Sequence, residues 1–194
     1  MRKLVYNIAA FICKIYFILF YKMEVKGREN IPTDGKLVVV ANHISYFDPP
    51  IIGSIMKRQV HFLAKEELFE IPFIGILLKY IGQIPVKRGK ADRNAIMNAL
   101  RILKEDKVLG IFPEGTTRKR KEKGLGKAKA GAVLIPIHSR SPVLPIGIVI
   151  RRKKIKVSIG KPFTMEKYYD IKREDRNKAG EFVMKKIEKE IRNF

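Results

Sequence analysis

The chain reads as an α/β protein: one domain with a central, largely parallel sheet flanked by helices, preceded by an apolar helix. Three observations predict this. Short runs of aliphatic and β-branched residues alternate with helical patterns along the chain. The 194 residues suffice for one domain with a substantial core. The first 22 residues differ sharply from the rest, so the chain divides into residues 1–22 and a domain over 23–194, with no internal repeat and no low-complexity linker.

The first segment, MRKLVYNIAAFICKIYFILFYK, is almost wholly apolar from Leu4 to Tyr21. Only Asn7 and Lys14 interrupt it, and Arg2, Lys3 and Lys22 flank it. Such a stretch is at the lower limit of length for a membrane span. A lysine near its middle costs about 3 kcal/mol on insertion scales. No small-residue cleavage site follows it. The reading favoured is a helix lying in one leaflet, its tyrosines and lysines at head-group level. A buried core helix and a tilted single span are the alternatives.

The elements then follow in order. KLVVVAN (36–42) has the pattern of a buried strand, and a helix starts at Asp48-Pro49-Pro50. QVHFLA (59–64) is a strand. IPFIGILLKYIG (71–82) is an apolar helix stopping at Gly82, with core packing as its simplest role and the wall of an acyl-chain groove as another. IPVKRG (84–89) is a short strand or loop. In 91–106, Ala95, Ile96, Ala99, Leu100 and Leu103 share one helical face. KVLGIFPEG (107–115) is a strand running into a turn. Residues 129–139 read as a helix around Pro136, and 142–150 and 154–160 as strands. A final helix places Ala179, Phe182, Val183, Ile187 and Ile191 on one face.

The formal net charge is +22. A charge this large calls for an anionic partner, either nucleic acid or an anionic membrane surface. The longest basic run, RKRKEKGLGKAK (118–129), contains no aromatic residue, and the chain has no helix-turn-helix or zinc-finger pattern. A nucleic-acid partner is therefore not expected. The single cysteine, Cys13, excludes an internal disulfide, and three histidines without a metal-binding spacing argue against a metal site.

The stretch NHISYFDPP (42–50) carries an imidazole and a carboxylate five residues apart. In one continuous helix, residues five apart point about 140° from each other, so contact between His43 and Asp48 needs a bend. Pro49 keeps Asp48 out of a helix interior and suits it to an N-cap. His43 leaves the end of a buried strand, the rim where parallel sheets bind ligands. A carboxylate on one ring nitrogen fixes the tautomer and frees the other nitrogen as a general base. The plainer alternative is a helix cap beside a polar strand end.

IFPEGTTRKRKEKG (111–124) adds Glu114, Gly115, Thr116 and Arg118 at another strand end. Glycine allows close backbone approach to a ligand, and arginine holds phosphate in a bidentate grip. GQIPVKRG (82–89) adds Lys87 and Arg88. There is no G-x-S-x-G nucleophile motif. Ser45 and Cys13 are poor nucleophile candidates. His61 and His138 fall in expected core elements and read as structural.

These stretches together resemble the glycerolipid acyltransferases of the 1-acylglycerol-3-phosphate acyltransferase (PlsC-type) family. NHISYFD matches that family's N-H-x-S-x-x-D block, GQIPVKR its second block, FPEGTTR its F-P-E-G-T-R block and SPVLPIGI its fourth. The segment 64–82, with Lys65, is similar to the lysine-bearing stretch between the first two. The blocks stand in family order over roughly residues 24–160. One departure matters: the third block holds an additional threonine, which moves its arginine to position 118.

The resemblance implies transfer of a fatty acyl group from an acyl-CoA or acyl-ACP thioester to the sn-2 hydroxyl of 1-acylglycerol-3-phosphate, giving phosphatidic acid. His43 would be the base and Asp48 its orienting partner. Glu114, Gly115 and Thr116 would line the glycerol-phosphate site, with Arg88, Arg118 and Lys65 on the phosphate. Asn42 would position the pair or the acyl carbonyl. No cofactor is implied beyond the thioester co-substrate. The implied partners are anionic membrane phospholipids, the lysophospholipid substrate and, for one donor, acyl carrier protein. The implied location is the cytoplasmic face of the cell membrane. Glycerol-3-phosphate or another lysolipid as acceptor, and a non-catalytic basic protein binding membrane or nucleic acid, are the competing readings.

Overall fold

The run Leu-Val-Val-Val-Ala forms strand β2 (Leu37–Ala41), and all five residues are buried. A strand buried on both faces has to lie inside a sheet covered by helices on each side. The structure, a computed structural model, describes residues 1–87, 92–117, 124–170, 172 and 175–194. Its other strands are β1 (Glu24–Lys26), β3 (Val60–Lys65), β4 (Ile84–Val86), β5 (Val108–Ile111), β6 (Val143–Arg151) and β7 (Lys154–Ile159). The helices are α1 (Arg2–Tyr21), α2 (Asp48–Ile55), α3 (Ile74–Tyr80), α4 (Arg93–Lys104), α5 (Ala130–Ser139) and α6 (Arg176–Arg192).

The described strands form one seven-stranded sheet in the order β1-β7-β6-β2-β5-β3-β4. β6, β2, β5, β3 and β4 run parallel. β7 pairs antiparallel with β6 and carries β1 parallel to itself at the edge. Side chains alternate between two cores. Leu37, Val39 and Ala41 pack with Phe17 of α1 and Ile51, Ile52 and Ile55 of α2. Val38 and Val40 pack with residues of α4, α5 and α6. Gly147 lets α6 lie directly on β6, since a Cβ there would stand 2.6 Å from the backbone carbon of Glu190.

The connections single out one rim of the sheet. From β2 the chain crosses through α2 to β3, and from β5 it crosses through α5 to β6, in opposite directions along the sheet. Right-handed crossovers in opposite directions put their helices on opposite faces. The carboxyl ends of β2 and β5, paired at Val40 and Ile111, therefore form a topological switch point.

Three expectations change. Strand β1 has no counterpart in the sequence reading. α3 does not pack into the core: Gly75 is its one buried residue, while Phe73 before it is 84% exposed and Ile76 is 70% exposed. His138, assigned to the core from its helix, is exposed.

α1 lies along α2 from end to end. Phe17 and Tyr21 meet Phe47 edge to face just before α2. At the other end, Tyr6 accepts the N–H of Val60 at 3.1 Å. Asn7 and Lys14 line a cleft with Ser54, Lys57 and Arg58 on this inner side. The outer face is apolar, carrying Leu4, Ile8, Ile12, Ile15, Ile18 and Leu19.

Candidate active site

Val40 and Ile111 are register partners, so the residues that follow them leave the sheet side by side. His43 follows β2 and Phe112 follows β5, and their rings stack with centroids 4.1 Å apart. Phe112 stacks in turn on Phe62 of β3 at 5.7 Å. This pile of rings needs Gly110, where a Cβ would come within 2.3 Å of the Phe62 ring. The imidazole plane is thus set by β5 and β3 together.

The two ring nitrogens have different partners. Nδ1 lies 2.8 Å from Oδ2 of Asp48, whose side chain is fully buried. A carboxylate oxygen only accepts, so Nδ1 carries the proton and Nε2 keeps its lone pair. The contact is reached through the bend that the five-residue spacing requires. The same Oδ2 accepts the backbone N–H groups of Ile44 at 2.7 Å and Ser45 at 2.8 Å. The cap expectation is corrected here: Phe47 is the cap residue and Asp48 is the first residue of α2. Its carboxylate folds back onto the loop, and its place in the first turn suits a negative charge. Ser45 accepts the Phe47 N–H through its hydroxyl and is part of this loop.

Nε2 lies 2.9 Å from the hydroxyl of Thr117. Sequence reading did not select Thr117; the signal available was the additional threonine in the third block. The Pro113–Gly115 turn is closed by the Gly115 N–H donating to Phe112 O at 3.0 Å. Gly115 has φ +69°, the left-handed region suited to glycine, and the stem of Lys129 lies against it.

The remaining expected residues divide. Glu114 is buried and accepts the N–H of His43 at 3.2 Å and of Gly126 at 2.8 Å, so its carboxylate braces the loops around the base. Asn42 is also buried. It donates to Ile148 O and accepts from Ile148 N, both at 2.8 Å, tying the end of β2 to β6. Its amide thus fixes the strand end from which His43 leaves. Thr116 stands in the turn beside Thr117. Lys65 ends β3 on the same rim, but its ammonium pairs with Glu67 at 2.8 Å. Arg88 and Arg118 lie outside the described residues.

His61 is separate from this cluster. Its Nδ1–H donates to Gly82 O at 2.8 Å. Burial holds its pKa below the ordinary value of 6.5, with the Gly82 carbonyl opposing. A folded value lowered in this way gives stability that is present above about pH 6.5 and is lost as pH falls through the folded pKa. His61→Gln is expected to flatten that acid limb, read as urea midpoints between about pH 7 and pH 5.

A buried carboxylate, an oriented imidazole and a hydroxyl on its second nitrogen thus meet at the switch point, an arrangement chemically able to accept a proton. Known proteins resemble the chain over most of its length. The Acyltransferase family profile matches residues 22–149. A 1-acyl-sn-glycerol-3-phosphate acyltransferase of Bacillus subtilis is 29% identical, with 97% of each chain aligned. A chloroplastic 1-acyl-sn-glycerol-3-phosphate acyltransferase of Arabidopsis thaliana, LPAT1, is 30% identical over 93% of this chain and 54% of its own length. The crystal structure of the 1-acyl-sn-glycerophosphate acyltransferase PlsC from Thermotoga maritima superposes with a TM-score of 0.77 at 29% identity, over 97% of this chain and 80% of that one. With two thirds of its length inside the family profile and its sheet matched by a solved member, the chain belongs to the acyltransferase family.

Proposed function

We propose that this chain transfers a fatty acyl group from an acyl thioester to the sn-2 hydroxyl of 1-acylglycerol-3-phosphate, yielding phosphatidic acid. The observation that carries the reading is the His43 ring, with one nitrogen on a buried carboxylate and the other already bearing a hydroxyl. In the proposed step the acceptor oxygen attacks the thioester carbonyl carbon as His43 Nε2 takes its proton. The C–S bond then breaks, and the protonated imidazole returns the proton to the leaving thiolate. Asp48 stabilises the transient imidazolium. Transfer is direct, with no covalent acyl-enzyme.

The names of the aligned relatives support a phosphate-bearing lysolipid as acceptor. Acyl-CoA and acyl-ACP are both acidic, and the charge of +22 suits either. The outer face of α1 and the exposed apolar side chains of α3 support seating on one leaflet of an anionic membrane. α1 lies against α2, and its polar residues Asn7 and Lys14 line the cleft on that side, which favours a helix in the leaflet over a lone span. Phe47 joins the end of α1 to the loop of His43, so this seating brings the base to the level of the lipid head groups.

The test is product identification with protein reconstituted on anionic vesicles. Acyl-CoA and acyl-ACP would be offered with 1-acylglycerol-3-phosphate, with glycerol-3-phosphate and with a lysolipid lacking the phosphomonoester. Phosphatidic acid formed from the first acceptor is the expected result. Turnover only with glycerol-3-phosphate or with the third acceptor would overturn the proposed substrate. Protein that remains in solution after the vesicles are sedimented would overturn the proposed seating.

A further inference from the structure

We infer that Thr117 is a specificity residue that occupies the place of the acceptor hydroxyl on His43 and so keeps water from using the base. The inference rests on the proposed role of His43. A thioester held beside a general base faces two competing nucleophiles, the lysolipid hydroxyl and water. Water is smaller and far more abundant. Its attack would follow the same path: oxygen to the carbonyl carbon, proton to Nε2, C–S cleavage and protonation of the thiolate, releasing a free fatty acid and a thiol. An enzyme of this class needs a device that favours the lipid.

The structure places that device on the reacting nitrogen. Oγ1 of Thr117 lies 2.9 Å from Nε2 of His43, within hydrogen-bond range. Nδ1 carries its proton toward Asp48, so Nε2 accepts and the threonine hydroxyl donates. The imidazole is itself only 9% exposed and has Phe112 against one face. Its one free nitrogen is therefore covered by Thr117. Threonine is stiff at χ1, so the hydroxyl is held in place at little further entropic loss. The residue is the one that the third block's departure puts where the resembled pattern has arginine.

Any nucleophile must break this hydrogen bond before it reaches the base. A lysophospholipid can offset that loss with binding free energy from its phosphate and acyl chain, remote from the reacting oxygen. Water has no remote groups and must displace the hydroxyl unaided. Thr117 thus discriminates by requiring displacement.

A nucleophile, a base and a carboxylate in a row also form the pattern of a covalent triad, so the experiment must separate the two roles. Reconstituted full-length protein would receive the acyl thioester that wild type turns over, with and without 1-acylglycerol-3-phosphate. Wild type, Thr117→Ala, Thr117→Ser and His43→Ala would be compared. The readouts are the ratio of thioester hydrolysis to acyl transfer and the KM for the acceptor. Thr117→Ala is expected to raise the ratio of hydrolysis without acceptor to transfer at saturating acceptor about fivefold and to lower the acceptor KM by a similar factor, the worth of one net hydrogen bond. Thr117→Ser, which keeps the hydroxyl, is expected to restore both values. An unchanged ratio in Thr117→Ala, with His43→Ala inactive, overturns this inference alone. Loss of transfer in Thr117→Ala together with an acyl ester on the Thr117 peptide of wild type overturns it in favour of a nucleophile. Undiminished transfer by His43→Ala overturns the proposed base, and this inference with it.

Discussion

His43→Ala is expected to lower acyl transfer by about 10²- to 10⁴-fold, the usual contribution of a positioned general base. The expectation rests on geometry. The ring is fixed at three points: the Asp48 carboxylate on Nδ1, the Phe112 ring on its face and the Thr117 hydroxyl on Nε2. No other imidazole shares the rim, since His61 is bonded to Gly82 and His138 is exposed on α5. The variant should remain folded. Asp48 keeps its bonds to the Ile44 and Ser45 N–H groups, and Glu114 still receives the backbone N–H of residue 43. The measurement is the initial rate of lysolipid acylation, with a thermal melt as the check on folding. A folded variant with the wild-type rate would place the base elsewhere.

Asp48→Ala is expected to reduce transfer as severely and, unlike the histidine variant, to weaken the fold. One oxygen, Oδ2, receives three donors. Removing it strands the Nδ1–H in a buried place and two N–H groups in a half-exposed loop. An unpaired buried donor costs about 1–3 kcal/mol, and the exposed pair less because water reaches them. A net loss of about 3 kcal/mol corresponds to a fall in Tm of about 6–12 °C for a chain of this size.

Asp48→Asn separates orientation from charge. All three donors converge on a single oxygen, so an amide can present its own oxygen there and keep the tautomer of His43. What it loses is the charge that stabilises the imidazolium. The difference between charged and neutral hydrogen bonds, about 1–2 kcal/mol, predicts a loss of about 5- to 30-fold. The expected order of activity is wild type, then Asp48→Asn, then Asp48→Ala close to His43→Ala. An asparagine variant as inactive as the alanine variant would mean that the carboxylate does more than hold and balance the ring.

Much of this was legible in the sequence because it is local. Strand and helix periodicity gave the alternating elements. His43 and Asp48 lie within five residues, and the helix start that Pro49 and Pro50 mark places the required bend in the loop between them. What escaped depends on distant neighbours. Strand β1 is three residues long, too short to show a period, and exists because β7 offers it an edge. The apolar run of α3 looks the same in a sequence whether it faces a core or the outside. Asn42 carries a polar side chain at a strand end, and only the arrival of β6 alongside β2 reveals that its amide substitutes for backbone. Glu114 is similar: among the described residues it draws backbone donors from 71 residues before it and 12 after it. The choice between Thr116 and Thr117 turns on one residue of turn geometry, which composition does not encode.

The edge strand β1 also bears on how the chain is born. β1 stands next to α1 in sequence, yet its partner β7 comes near the other end of the chain, and the side chain of Asn30 bonds to Ile159 across 129 residues. Translation at about 5–20 residues per second separates those partners by on the order of ten seconds. α1 needs no such wait, because a helix satisfies its backbone within itself and α2, its packing partner, follows closely. During synthesis the apolar helix is therefore complete while the sheet that will brace its neighbourhood is still missing its far edge. A nascent chain with that order of assembly has reason to meet a lipid surface first and to close its sheet there.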